Sequence, residues 1–162
     1  MTMEARPLQY IAEATGGRVI QGDDGAFVHR VSTDSRHVEP EDLFVALKGD
    51  HFDGHEFIAQ AEKGGVTALL VDRPVKAKCA IIEVDNTREA LGCFAARYRR
   101  DYRLPVVGVA GSNGKTTTKE LLASILRRHH EAVWNEASFN NDIGVPLTLL
   151  RIENFHHAAV LE

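Results

Sequence analysis

The sequence predicts an α/β fold built on open, mainly parallel sheets, and three observations carry that expectation. Short apolar runs such as "TALLV" and "AIIEV" recur along the 162 residues. Helical patterns, apolar at i, i+3 and i+4, fall between them. One further run, "VVGVA", feeds a glycine-rich turn that opens another helix.

Taken in order, Leu8, Ile11 and Ala12 share one face of a short helix, with Pro7 at its start and Gly16-Gly17 as its stop. "DLFVAL" (42–47) reads as a strand. "HEFIAQAEKGG" places Phe57, Ile58 and Ala61 on one helical face, ended by Gly64-Gly65. "TALLV" (67–71) and "AIIEV" (80–84) are too short for helices and read as buried strands. Asn86 caps a helix carrying Leu91, Phe94, Ala95 and Tyr98 on its apolar face, and Glu89 completes a capping-box-like start. The polar stretch "RRDYRLP" (99–105) breaks this order, because Pro105 disfavours helix at Leu104. A domain boundary is expected there, giving domains at 1–103 and 104–162.

Beyond it come the strand "VVGVA", the glycine turn, and a helix with Leu121, Leu122, Ile125 and Leu126 on one face. A strand "EAVW", a polar loop, a short helix near "VPLTLL" and a last strand "HAAVLE" follow.

Composition narrows the function. Hydrophobic residues make up 44% and charged residues 26%, enough for an ordinary core. A net charge of −4 gives no general pull toward nucleic acid or anionic lipid. No run approaches the roughly 20 apolar residues of a membrane span. The N-terminus lacks the pattern of a signal peptide. Cys79 and Cys93 match no zinc or redox spacing and read as reduced core thiols, as in a cytoplasmic protein. The pairs His129-His130 and His156-His157 point in different directions by chain geometry and read as solvated surface residues.

"AGSNGKTT" is where the sequence becomes chemically specific. A helix start exposes backbone N–H groups without intrahelical partners, and its dipole adds partial positive charge. Gly111 and Gly114 put no side chain in the way of a phosphate and allow those N–H groups to converge, while Ser112 and Asn113 complete the loop. Lys115 supplies a full charge for β- and γ-phosphates, and Thr116 a hydroxyl suited to Mg²⁺. The general phosphate loop, G-x-x-x-x-G-K-[ST], would have glycine at position 109, whereas this chain has Val109, so the loop is a variant. The strand "HAAVLE" ends in Glu162, and a carboxylate at a strand end beside such a loop is placed to hold or orient Mg²⁺.

"GSNGKTTTKE" and "NEASFNNDIGVPLTLLRI" together closely resemble the Mur ligases, and "STDSRHVEPEDLFVALKGDHFDGHEFIAQAEKGGVTALLVDR" is similar to their uridine-nucleotide-binding domain. The resemblance implies a small N-terminal α/β uridine-nucleotide-binding domain, followed by the start of a P-loop mononucleotide-binding α/β domain with a truncated sheet. It implies an ATP- and Mg²⁺-dependent cytoplasmic ligase of peptidoglycan synthesis, acting in cell-wall biogenesis and through it in cell shape and division. The segment "FNNDIGVPLTLL" favours the branch that joins D-alanyl-D-alanine to UDP-N-acetylmuramoyl-tripeptide through an acyl phosphate. A monomer with no nucleic-acid partner and no membrane span is expected.

On the same resemblance Gly111, Ser112, Asn113, Gly114, Lys115, Thr116 and Thr117 match the ATP-phosphate loop, with Lys115 and Glu162 as the catalytic pair and Thr116 and Glu162 on the metal. Asn140 and Asn141 fall near phosphates and substrate. Thr33, Ser35 and Arg36, then Asp50, His51 and Phe52, match two stretches on the uridine side.

Plainer readings stand beside these. Asp34 and Arg36 also fit a structural ion pair, His51 a solvated loop residue, and Asn140-Asn141 a turn. Rival functions are a sibling ligase adding the third stem-peptide residue, a non-catalytic UDP-sugar or ATP-binding module, and, more weakly, a plain NTPase. Members of the family are far longer, so the chain is expected to be a fragment with an exposed last sheet edge that does not catalyse peptide synthesis alone.

Overall fold

The computed structural model describes residues 2–49, 52–136 and 139–162. The chain divides into two compact units: one ends at Phe94 and the other is Ala95–Glu162.

The first unit contains β1 (Thr2–Pro7), α1 (Leu8–Thr15), β2 (Arg18–Gln21), β3 (Phe27–Ser32), β4 (Asp42–Val45), a 3₁₀ turn (Gly54–Phe57), α2 (Ile58–Lys63), β5 (Ala68–Val71) and β6 (Ala80–Glu83). It also holds the start of α3 (Thr87–Arg99), inside which the division falls. Its sheet runs β1-β3-β4-β5-β6-β2. The four middle strands are parallel and the two outer ones antiparallel to their neighbours.

The middle strands read as continuous apolar runs because parallel sheets need both faces covered. One face of the sheet joins Phe44, Ala46, Leu69, Val71 and Ile81 to Ile58 and Ala61 of α2. Each such buried Leu, Ile or Phe contributes roughly 1.5–3 kcal/mol. Leu8, Ile11 and Ala12 of α1 are buried as the spacing requires. Asn86 caps α3 by accepting from the Arg88 and Glu89 N–H groups at 2.9 and 3.1 Å. Phe57, expected on the buried face, is instead exposed, because it closes the 3₁₀ turn before α2 begins.

The second unit holds β7 (Val106–Gly108), α4 (Lys115–Leu126), β8 (Ala132–Trp134), α5 (Gly144–Leu149) and β9 (Ala158–Leu161). Its three strands are parallel in the order β7-β9-β8. The last strand is therefore central among the described residues, and the edges of this sheet are β7 and β8. Tyr98 donates its hydroxyl to the Ile152 carbonyl at 2.7 Å and accepts from Tyr102 at 2.8 Å. A Cβ on Gly144 would meet the Phe139 backbone at 2.7 Å, so α5 starts where only glycine fits.

The inward stripe of α4 differs from the expected one. Lys119 and Ala123 are buried and Leu122 and Leu126 half-buried, while Leu121 and Ile125 are 59% and 61% exposed. The helix is rotated because Lys119 finds a buried acceptor. Cys93 is exposed rather than a core thiol. Cys79 is half-buried, and burial followed by the Glu62 charge pushes its thiol up to about 11. His156 is half-buried, accepts from the Glu153 N–H at 2.9 Å, and is held below the ordinary imidazole value by burial. The expected fully solvated His156-His157 pair is thus corrected at its first member. No helix among the described residues is long and apolar enough to cross a membrane.

Candidate functional site

Strand register builds the second unit's site. Gly108 of β7 pairs with Leu161 of β9, and the Val109 N–H continues the ladder to the Leu161 carbonyl at 2.7 Å. Position 109 is thus a ladder residue, and the loop turns only after it. That same ladder sets Glu162, the residue after β9, beside the loop that starts α4.

Gly114 caps α4 with φ +73°, a conformation that favours glycine, and no side chain caps the helix's first turn. A Cβ on Gly114 would meet nothing within 4 Å, and one on Gly111 only the Asn113 carbonyl oxygen at 3.9 Å. Ser112, Asn113, Thr116 and Thr117 are exposed and Lys115 is half-buried. The donors at the helix start therefore face open space, as an anion site needs.

Thr116 Oγ1 donates to Glu162 Oε2 at 2.7 Å, and Asn140 Nδ2 donates to Glu162 Oε1 at 3.0 Å. The Thr116 bond, then the Asn140 bond, lower the Glu162 carboxyl below its ordinary 4.5. The Lys119 and Lys115 charges act in the same direction, against burial. Two hard oxygen donors side by side suit Mg²⁺, which takes one or two protein oxygens and completes its shell with phosphate and water. The residues present therefore fit both a phosphate chain and its metal.

The two asparagines separate. Asn140 reaches Glu162, whereas Asn141 Oδ1 accepts from the Ile143 and Gly144 N–H groups at 3.1 and 2.8 Å and starts α5. The turn reading holds for Asn141 only.

In the first unit the predicted residues make separate local contacts. Arg36 makes two side-chain bonds to Asp34, at 2.9 and 2.7 Å, and His37 Nδ1 lies 3.0 Å from the same carboxylate. The Arg36 side-chain bonds are the main cause that holds the Asp34 carboxyl well below the usual range. Ser35 is nearly buried and donates to Gln60 of α2 at 3.1 Å, and Thr33 is half-buried. Phe52 is exposed and its ring lies over Gly49. Asp50 and His51 lie outside the described residues.

Sequence reasoning missed a neighbouring network. His55 Nδ1 sits 2.7 Å from Asp53, its Nε2 sits 3.2 Å from Asp72, and Arg73 donates to Asp53 at 2.6 Å. It also missed Lys119 and Asn135, both fully buried behind Glu162. The stripe Lys119, Leu122, Ala123, Leu126 has helical spacing, and a lysine within it was the available signal.

A parallel sheet whose glycine loop opens a helix beside a carboxylate-ended strand defines a P-loop-type α/β unit. The profile described as "Mur ligase family, catalytic domain" matches residues 27–99, and that of the "Mur ligase middle domain" matches 109–162. The chain belongs to the Mur ligase family.

It is 40% identical, over 99% of its length, to the UDP-N-acetylmuramoyl-tripeptide--D-alanyl-D-alanine ligase of Bacillus subtilis, covering 36% of that protein. It is 44% identical over 88% of its length to the ligase of the same name from Escherichia coli, covering 31% of it. A crystal structure of MurF from Acinetobacter baumannii superposes on the whole chain with a TM-score of 0.88 at 38% identity, over 36% of that structure. A Thermotoga maritima MurF crystallised with ADP matches 82% of this chain and 31% of its own, with a TM-score of 0.75 at 34% identity. The chain spans about a third of the length of these relatives.

Proposed function

We propose that this chain supplies the UDP-substrate-binding domain (residues 1–103) and the first part of the ATP-binding domain (104–162) of a cytoplasmic, monomeric MurF-type ligase. The reaction joins D-alanyl-D-alanine to UDP-N-acetylmuramoyl-tripeptide at the expense of ATP. The observation that carries this reading is the Thr116–Glu162 contact at 2.7 Å beside an open glycine loop. The relatives' names supply the substrates.

A carboxylate is a poor acyl donor. Its oxygen attacks the γ-phosphorus, ADP leaves, and the resulting acyl phosphate is attacked by the dipeptide amine, releasing phosphate and the amine's proton. Phosphoryl transfer needs mainly positioning and charge neutralisation. Lys115 and the first N–H groups of α4 neutralise the phosphate oxygens. Bound Mg²⁺ supplies further neutralisation, and Thr116 and Glu162 are the residues that would hold it. Thr33, Ser35, Arg36, Asp50, His51 and Phe52 would hold the uridine diphosphate side.

The test offers the intact protein ATP, UDP-N-acetylmuramoyl-tripeptide and one acceptor at a time. Phosphate release should require D-alanyl-D-alanine and fall about 10²–10³-fold in Lys115→Ala. Giving the enzyme UDP-N-acetylmuramoyl-dipeptide instead and finding release with diaminopimelate or lysine transfers the chain to the sibling ligase.

A further inference from the structure

Behind the candidate metal carboxylate lies a hydrogen-bond substitution that the phosphate loop does not explain. In the β8–β9 ladder Trp134 pairs with Val160, and the Asn135 N–H donates to the Val160 carbonyl at 3.4 Å. A regular parallel ladder would next have the Asn135 carbonyl accept the Glu162 N–H. It does not. That carbonyl accepts instead from the Lys119 ammonium at 2.6 Å, and Asn135 Oδ1 takes the Glu162 N–H at 2.8 Å. A side-chain amide has replaced a backbone acceptor, and a buried cation holds the displaced carbonyl.

Both residues are 0% exposed. Asn135 Nδ2 is the buried side-chain polar atom left without a partner among the described residues. The Lys119 ammonium also pairs with Glu120 Oε1 at 3.0 Å, which offsets part of the cost of burying it, but the partnerless Asn135 Nδ2 remains unfavourable, and apolar residues would fill the same space without either cost. A strand end that only had to pack would not be built this way.

We propose that Asn135 and Lys119 are positioning residues for Glu162. They lock the backbone from which its carboxylate reaches Thr116 and the metal: Asn135 holds the Glu162 N–H and Lys119 holds the Asn135 carbonyl. The inference rests on the reading of Glu162 as a metal carboxylate. Groups that orient a metal ligand typically change metal affinity about 10–100-fold when removed.

The experiment measures Mn²⁺ binding to the intact protein in the presence of ADP, by electron paramagnetic resonance and without turnover. Asn135→Ala and Lys119→Met should bind Mn²⁺ about 10–100-fold more weakly, with metal-free ADP affinity within about twofold of wild type. Asn135→Asp keeps the shape and the Oδ1 acceptor and should stay within about threefold of wild type. Folded variants with unchanged Mn²⁺ affinity overturn the proposal, as does an Asn135→Asp protein as weak as Asn135→Ala. Should Asn135→Ala not fold, Lys119→Met and Asn135→Asp decide on the same criteria. Glu162→Gln separates the two readings: if it binds Mn²⁺ like wild type, the metal role of Glu162 fails. If it is weakened while the other variants are not, only the positioning role fails.

Discussion

Strands β4 and β5 of the first unit are buried at every residue, whereas β7 of the second leaves Val107 and Gly108 exposed. Each unit also buries polar groups, Ser35, Asp42 and Thr87 in the first and Lys119, Asn135 and Thr148 in the second, and the difference lies in where the candidate site residues stand. In the first unit the candidate ligand residues Arg36 and Phe52 stand on exposed turns, with bonds to near neighbours. In the second, Lys119 and Asn135 are sealed inside, directly behind Glu162. In the first unit Ser35 and the Arg30 bond to the His37 carbonyl anchor the turn from inside while Arg36 stays on its exposed side, whereas in the second the buried Asn135 bonds directly to the Glu162 backbone. Replacing Arg36 should therefore affect binding without folding, replacing Asp42 folding first, and replacing Lys119 or Asn135 both.

Asp42→Ala should have the largest effect and gives the comparison its firmest test. Asp42 is 1% exposed at the head of β4 and takes two Arg30 bonds at 2.6 Å, one from Nε and one from Nη2. It also accepts the Glu39 N–H at 2.8 Å. Removing it leaves a largely buried guanidinium short of its main partner, a loss of about 3–5 kcal/mol. Urea unfolding of the intact protein should show a lower midpoint with an unchanged slope, and ADP affinity should be unaffected under native conditions. A loss below about 1 kcal/mol would mean the pair behaves like a solvated surface contact.

What was legible in the sequence follows the same division. "ALLV" and "AIIE" announced themselves because a parallel strand covered on both faces has nothing but apolar residues to show. The α3 cap was legible because Asn86 and Glu89 act within one turn. β1, β2 and β3 were not read as strands at all. Their residues are mostly exposed or half-buried, with charged Glu4, Arg6, Arg18 and Arg30 among them, and their partners are supplied by distant segments of chain. The phosphate loop could be read because one short segment contains it. Lys119 left only the hint of a lysine in an apolar stripe, and Asn135 left none, because their meaning comes from a ladder bond that fails to form between residues 27 positions apart.

A second prediction concerns the carboxylate that ties the site together. The Glu162 carboxyl is lowered from 4.5, chiefly by the Thr116 hydroxyl and then by Asn140. A depressed acid contributes stability that is present above its unfolded value and is lost as pH falls through its folded value. That window therefore lies below 4.5, and at neutral pH the group is ionised and ready for a cation. Thr116→Val removes the first cause, so the ¹³C titration of the Glu162 carboxyl should move up toward 4.5. Mn²⁺ binding should weaken in the same variant. An unmoved titration would show that the 2.7 Å contact does not persist in solution.

Arg36→Ala should have the smallest effect on folding. The guanidinium is 72% exposed and its partner Asp34 lies two residues away, so the pair bridges no distant parts of the chain. Such contacts contribute little in water. The urea midpoint should not move. The Asp34 carboxyl, held down first by the Arg36 side chain, should rise part of the way toward its ordinary 3.8, because the backbone N–H of residue 36, the next cause, still donates to it at 3.0 Å and His37 stays beside it. Calorimetry with UDP-N-acetylmuramic acid should show weaker binding in the same variant if the turn holds the diphosphate, by about tenfold for the loss of one charge-assisted bond. A variant that binds normally removes Arg36 from the ligand set and leaves the pair as a local brace of the turn. A variant that unfolds more easily breaks the comparison itself, because the first unit's exposed turn would then be carrying part of its core's stability.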